Sequence, residues 1–183
     1  MANITDGTES KLQWFGGPLF RAPNTTRAEF TASWRRHATL AAEWFVKFGV
    51  VEYRQIHLPD AITHVSGTPC DGIALVALMP DPHPDTDNTG GLAAALQHPY
   101  YHAVILPDER RFIHPESGSN PILKQSPSFP LPDPKMGALE WREMALELGQ
   151  GATEHRVIHG GVLVVEIPES IRARWEELDS RHP

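Results

Sequence analysis

The chain contains a single cysteine, Cys70, among 183 residues. One thiol cannot close an intramolecular disulfide, and no cysteine pair has zinc-site spacing, so neither device is expected to hold the fold. Cys70 reads as a small loop residue ahead of a strand. Long apolar runs are also missing, and nothing approaches the roughly 20 residues needed to cross a bilayer. The first ten residues, MANITDGTES, lack the basic and apolar segments of a secretory leader, so the chain is expected to be cytoplasmic, with no membrane partner. Positive charge is in deficit: 16 Lys and Arg stand against 23 Asp and Glu, a net charge of −7. The arginines are scattered rather than gathered in a stripe, which argues against a nucleic-acid surface and for a small-molecule or protein partner. There is no internal repeat.

What the chain does have is enough length and 40% hydrophobic content for one sizeable core. Residues 1–10 read as a disordered lead and 11–183 as one domain. The most informative stretch is Thr26 to Leu58, an amphipathic helix running through a turn into a strand. Thr26 followed by Glu29 is a capping-box pair that starts the helix. Phe30, Trp34, Ala41, Trp44, Phe45 and Phe48 then recur at helical spacing, and His37 falls within that stripe. After Gly49, a helix stop, the strand places Val51, Tyr53, Gln55 and His57 on one face, because side chains alternate with period two. A face of Tyr, Gln and His suits the wall of a partly polar cavity.

Each histidine taken alone could be an ordinary hydrogen-bonded core residue. Two of them on consecutive elements that pack together point to a site, with His37, His57 and Tyr53 as candidate acid-base groups. Gln55, Trp34, Phe30 and Trp44 are its candidate substrate walls, the aromatics being mostly core.

The other elements follow in order. Lys11 to Arg21 reads as a first strand, interrupted by Gly16, Gly17 and Pro18. GIALVAL, after Asp71, is a short apolar strand antiparallel to the previous one. Pro80 to Gly91 is a surface loop. Leu92 to Ile113 is a helix in pieces, interrupted by Pro99 and Pro107. Ile113 to Asp133 is an irregular stretch, read as a lid over the cavity mouth, and a short helix opens at Asp133-Pro134. EHRVI and VLVVEI form a hairpin about Gly160-Gly161. A last helix begins at Pro168, with Ile171, Trp175 and Leu178 as its docking stripe.

Metal-like pairs receive no metal. His98 and His102 are four apart, but Pro99 lies between them and no carboxylate shares the turn; His155 and His159 meet the same objection. Asp108 and Glu109 follow a proline beside Arg110 and Arg111, and Glu109 is expected to face solvent at a charged helix end. Tyr100 and Tyr101 are packing aromatics or, for Tyr101, a substrate wall whose phenol could polarise a carbonyl.

Several segments together resemble EthD-domain proteins. They are Phe30, Trp34 and His37; Tyr53, Arg54, Gln55 and His57; Asp71 to Ala74; and His98 to Tyr101 with Pro107 to Phe112. The similarity spans about residues 11 to 115. It implies an α+β fold, a ferredoxin-like unit that dimerises sheet to sheet as a dimeric α/β barrel, with the hairpin from Thr153 as a fourth strand. Residues 113–151 are then an insertion and 168–183 an added C-terminal helix. It also implies a dehydratase, decarboxylase or cyclase of aromatic polyketide intermediates that uses no cofactor, with Asp108 orienting an imidazole. The alternative is a non-catalytic module of the same fold that binds or carries a small molecule. A homodimer is expected, because a sheet with helices on one side would leave its other, apolar face bare.

Overall fold

The structure, a computed structural model, describes residues 12–58, 71–79, 90–114 and 152–180. Cys70, the lid stretch beyond His114 and the Asp133 helix lie outside them. The elements are β1 (Gln13–Leu19), α1 (Arg27–Lys47), β2 (Val50–His57), β3 (Gly72–Leu78) and α2 (Gly90–Gln97). A π-helical turn (Tyr101–Ile105), α3 (Leu106–Phe112), β4 (Thr153–His159), β5 (Val162–Leu163) and α4 (Glu169–Asp179) complete them.

The fold is α+β, as expected. Among the described residues, five strands form an antiparallel sheet in the order β1-β3-β2-β4-β5. β1 and β2 flank β3, so β1-α1-β2 is a split β-α-β unit. β4 pairs with β2 at the edge opposite β1, whereas a ferredoxin-like sheet puts its fourth strand beside its first. β5 is shorter than VLVVEI suggests and ends at Leu163. Its turn is the expected one: Gly160 and Gly161 have φ of 60° and 76°, the left-handed pair that a two-residue hairpin turn requires.

α1 starts as the sequence dictates. The Thr26 hydroxyl accepts from the Glu29 amide, and the Glu29 carboxylate accepts from the Thr26 amide. Its apolar stripe lies on the sheet face that carries Tyr53, Gln55 and His57: Phe45 packs on Tyr53 at 4.8 Å between ring centroids, and Trp34 on His57 at 4.6 Å. Gly72 belongs to this face. A Cβ there would sit 2.2 Å from Trp34 Cζ3, so only glycine lets the indole lie against the strand.

The opposite face departs from expectation. Ile56 and Leu75 are 0% exposed and Ile73 2% within a single chain, so these positions are not bare. Arg54, also on that face, is buried over the Trp14 ring and beside Glu52 and Glu154. The C-terminal helix packs elsewhere. Its Trp175 and Leu178, with Ile171, pack on Leu40, Ala41 and Tyr100 in the helical layer, and Lys47 pairs with Asp179 at 2.5 Å. No helix of the described residues is long and apolar enough to cross a membrane.

Candidate functional site

Two polar groups lie along the contact between α1 and its neighbours. The first is assembled by α1, α3 and the π turn. α3 presents Asp108 and Phe112, one turn apart, to α1. There the His37 Nδ1 is 3.0 Å from Asp108 Oδ2, and the imidazole packs 5.5 Å from the Phe112 ring. Arg36, next to His37 on α1, pairs with the other Asp108 oxygen. The second imidazole nitrogen, Nε2, lies 3.8 Å from Glu109 Oε1. The Tyr101 hydroxyl donates to Glu109 Oε2 at 3.4 Å. A continuous chain of polar groups thus runs Arg36, Asp108, His37, Glu109, Tyr101.

The electrostatics separate the two carboxylates. At Asp108, burial works to raise the pKa, but the hydrogen bond and charge of His37, together with Arg36, outweigh it, and the result is a lowered value. At Glu109 burial dominates and is reinforced by the charge of Asp108, so its pKa is raised although His37 and Tyr101 oppose the change. Adjacent carboxylates pushed in opposite directions are the pattern by which a site assigns separate proton roles. Burial and Glu109 together also push the Tyr101 phenol up.

The second group lies on β2. Gln55 Nε2 donates to the Trp34 carbonyl at 2.7 Å and to the Tyr53 hydroxyl at 3.2 Å. Both amide hydrogens are therefore committed, which fixes the orientation of the amide and leaves Oε1 buried and without a partner among the described residues. His57 is 5% exposed, and neither ring nitrogen has a hydrogen-bond partner among the described residues. Burial, with the positive charge of Arg35 and His155 nearby, holds its pKa down at about 4, so the ring is neutral at pH 7. Burial pushes the Tyr53 phenol up to about 12.

The candidates therefore divide. The structure joins His37 to Asp108 and, through Glu109, to Tyr101; it joins Tyr53 to Gln55 and sets His57 against Trp34. No contact joins His37 directly to His57: Trp34, Phe30 and Phe112 form the aromatic packing around them, with Phe30 5.5 Å from Trp34 and 5.8 Å from Phe112. Phe30 and Trp44 are packing residues, the latter donating from Nε1 to the Ala95 carbonyl and stacking on Tyr101. Tyr100 is likewise structural, its hydroxyl donating to the Leu40 carbonyl.

Glu109 is the correction. Its side chain is 18% exposed and faces His37 rather than a solvated helix end. The cause is the π turn, a wide turn closed by the Leu106 amide on the Tyr101 carbonyl. It precedes Pro107, whose ring would clash with the carbonyl four residues earlier in a regular helix. The extra residue re-phases α3. Pro107 is the signal in the sequence that marks the break, but it does not give the new phase.

Among the described residues, no group of three or more His, Cys, Asp or Glu could hold a metal ion. His98 serves packing: its Nδ1 accepts from the Tyr100 amide, and the ring lies between Phe48 and Trp175.

The family model for the EthD domain matches residues 22–116, from just before α1 past the end of α3. That span includes every residue of both polar groups except His155. No curated protein and no solved structure matches the chain.

Proposed function

We propose a function for a chain that belongs to the EthD domain family. It is a cofactor-free lyase or cyclase that removes and returns a proton beside a carbonyl of a hydrophobic, polyketide-like aromatic small molecule. The observation that carries this reading is the contact of His37 Nδ1 with Asp108 at 3.0 Å, in a carboxylate that Arg36 also holds. A carboxylate on one imidazole nitrogen fixes the ring and its tautomer and leaves the other nitrogen for proton transfer. Asp108 is the positioning residue of this pair. Dehydration, decarboxylation and ring closure all require a base, a proton donor and a polar grip on an enolate oxygen. Tyr53 and the neutral, unpartnered His57 supply hydrogen-bonding capacity for that grip, with Gln55 and Trp34 shaping the wall.

A second reading, a binding or carrier module without chemistry, is favoured by one observation: His37 is only 5% exposed and has a carboxylate near each nitrogen. The test is incubation of the protein with a panel of hydroxylated aromatic polyketide acids and ketones, followed by mass spectrometry. The expected result is loss of water, loss of carbon dioxide or an isomer of new retention time, reduced about a hundred-fold or more in His37→Ala. Binding without any product across the panel supports the carrier instead.

A further inference from the structure

The relay at α1 and α3 has an inner and an outer end. The Asp108 side chain is 6% exposed and lies against Arg36; the His37 side chain is 6% exposed, with both nitrogens facing carboxylates; the Glu109 side chain, at 18%, is the more accessible of the carboxylates. A substrate cannot reach Nδ1, which faces Asp108, and Nε2 is screened by the Glu109 carboxyl at 3.8 Å. Of the two carboxyl groups beside His37, Glu109 is therefore the more open to a small molecule.

We propose that Glu109 is the group that exchanges the proton with the substrate, and that His37, positioned by Asp108, stores that proton behind it. This assignment rests on the acid-base reading above and changes which atom touches the substrate. In the forward step the Glu109 carboxylate takes the proton from the carbon beside the substrate carbonyl, and the C–H electron pair moves into the enolate. The proton passes from Glu109 Oε1 to His37 Nε2, leaving an imidazolium between two carboxylates. It then returns through Glu109 to the departing hydroxyl, which leaves as water, or to the alkoxide oxygen that ring closure forms; in decarboxylation no C–H bond breaks, and the carbanion left by carbon dioxide takes through Glu109 the proton that the substrate carboxyl gave up. No oxidant or reductant enters, and each proton removed is returned.

The groups around the pair suit this task. On α1 they are Arg36 and His37 itself, on α3 Asp108 and Glu109, on the π turn Tyr101, and on β2 Tyr53, whose phenol feels the Glu109 charge. Tyr101 donates to the Glu109 oxygen turned away from His37, Oε2, so Oε1 is the atom left for transfer. Burial raises the Glu109 carboxyl toward the range where it both takes and gives a proton. The Asp108 carboxylate, held ionised, stabilises the imidazolium that forms.

Two measurements on the full chain test the proposal separately from the function. The first is an NMR titration of the Glu109 side-chain carboxyl carbon in the wild type and in His37→Gln. If the two groups are coupled, removing the imidazole removes a charge that opposes the effect of burial, so the Glu109 midpoint rises further in His37→Gln. A Glu109 midpoint unmoved in His37→Gln overturns the pair. The second is deuterium incorporation from heavy water into the methyl group of 2,4-dihydroxyacetophenone, with Glu109→Gln, Glu109→Asp and His37→Gln alongside the wild type. Exchange should fall about a hundred-fold or more in Glu109→Gln and recover in part in Glu109→Asp. The double variant should be no slower than the slower single variant. Exchange unchanged in Glu109→Gln but lost in His37→Gln overturns the assignment and leaves His37 as the base. No exchange in the wild type counts against the catalytic reading as a whole, and with it the catalytic role of Glu109, while the titration still decides whether the pair is coupled.

Discussion

His57→Leu is expected to make the protein more stable, and increasingly so as the pH falls. The imidazole is 5% exposed, neither nitrogen is partnered among the described residues, and its ring lies 4.6 Å from Trp34. Burying unpaired polar atoms costs about 1–3 kcal/mol, which the apolar side chain recovers. Loss of the ring contact with Trp34 offsets about 0.5–1.5 kcal/mol of that gain. The net expectation at pH 7 is about 1 kcal/mol in favour of the variant. A second contribution depends on pH. Folding lowers the His57 pKa from 6.5 to about 4, so between those values the unfolded chain binds a proton that the native protein does not. Wild-type stability from this group is whole above pH 6.5 and is lost as the pH falls toward 4. The full shift corresponds to roughly 3 kcal/mol as an upper value. Leucine removes that loss, so the stability difference should widen from about 1 to about 3 kcal/mol between pH 7 and 4.5. Urea unfolding at a series of pH values measures it. A variant less stable at every pH, with an unchanged slope, would show that the imidazole is satisfied in solution and refute the reasoning.

Other outcomes follow from the same contacts. Asp108→Asn should cost about 1–3 kcal/mol above pH 5, measured by denaturant unfolding. Because the native Asp108 pKa is lowered from 3.8, its contribution is present above that value and is lost as pH falls through the native pKa, so wild type and variant should converge in acid. Gly72→Ala should destabilise by at least about 1–3 kcal/mol, because the new methyl meets Trp34 at 2.2 Å and the Ile56 carbonyl at 2.8 Å; thermal unfolding checks it. Trp175→Ala, which removes a side chain packed on Tyr100 and His98, should cost about 3–5 kcal/mol and expose the α4 amides to hydrogen exchange. Light scattering tests the proposed homodimer: a dimer mass at micromolar concentration supports it, and a monomer mass contradicts it.

The helix α1 was legible because local signals agree there: a reciprocal cap, a stripe at helical spacing and a glycine stop. The alternation on β2 likewise placed Tyr53, Gln55 and His57 on one face, and that face does meet α1. His37 and Asp108 were legible by different routes, the first from its place in the stripe and the second from the family resemblance. What could not be read was phase and pairing. The π turn before Pro107 rotates α3 by the equivalent of one residue, and that rotation decides that Glu109 faces His37. The pairing of β4 with β2, and the burial of Ile56 and Leu75 within one chain, depend on long-range contacts that no local period encodes.

The central claim is proton abstraction by the relay that ends at His37. The most direct measurement is deuterium exchange into the methyl group of 2,4-dihydroxyacetophenone, because it detects removal of the proton whichever bond breaks next. The account predicts catalysed exchange by the wild-type chain and a loss of about a hundred-fold or more in His37→Gln. Exchange in the variant within a few-fold of wild type, with the protein folded, would contradict it.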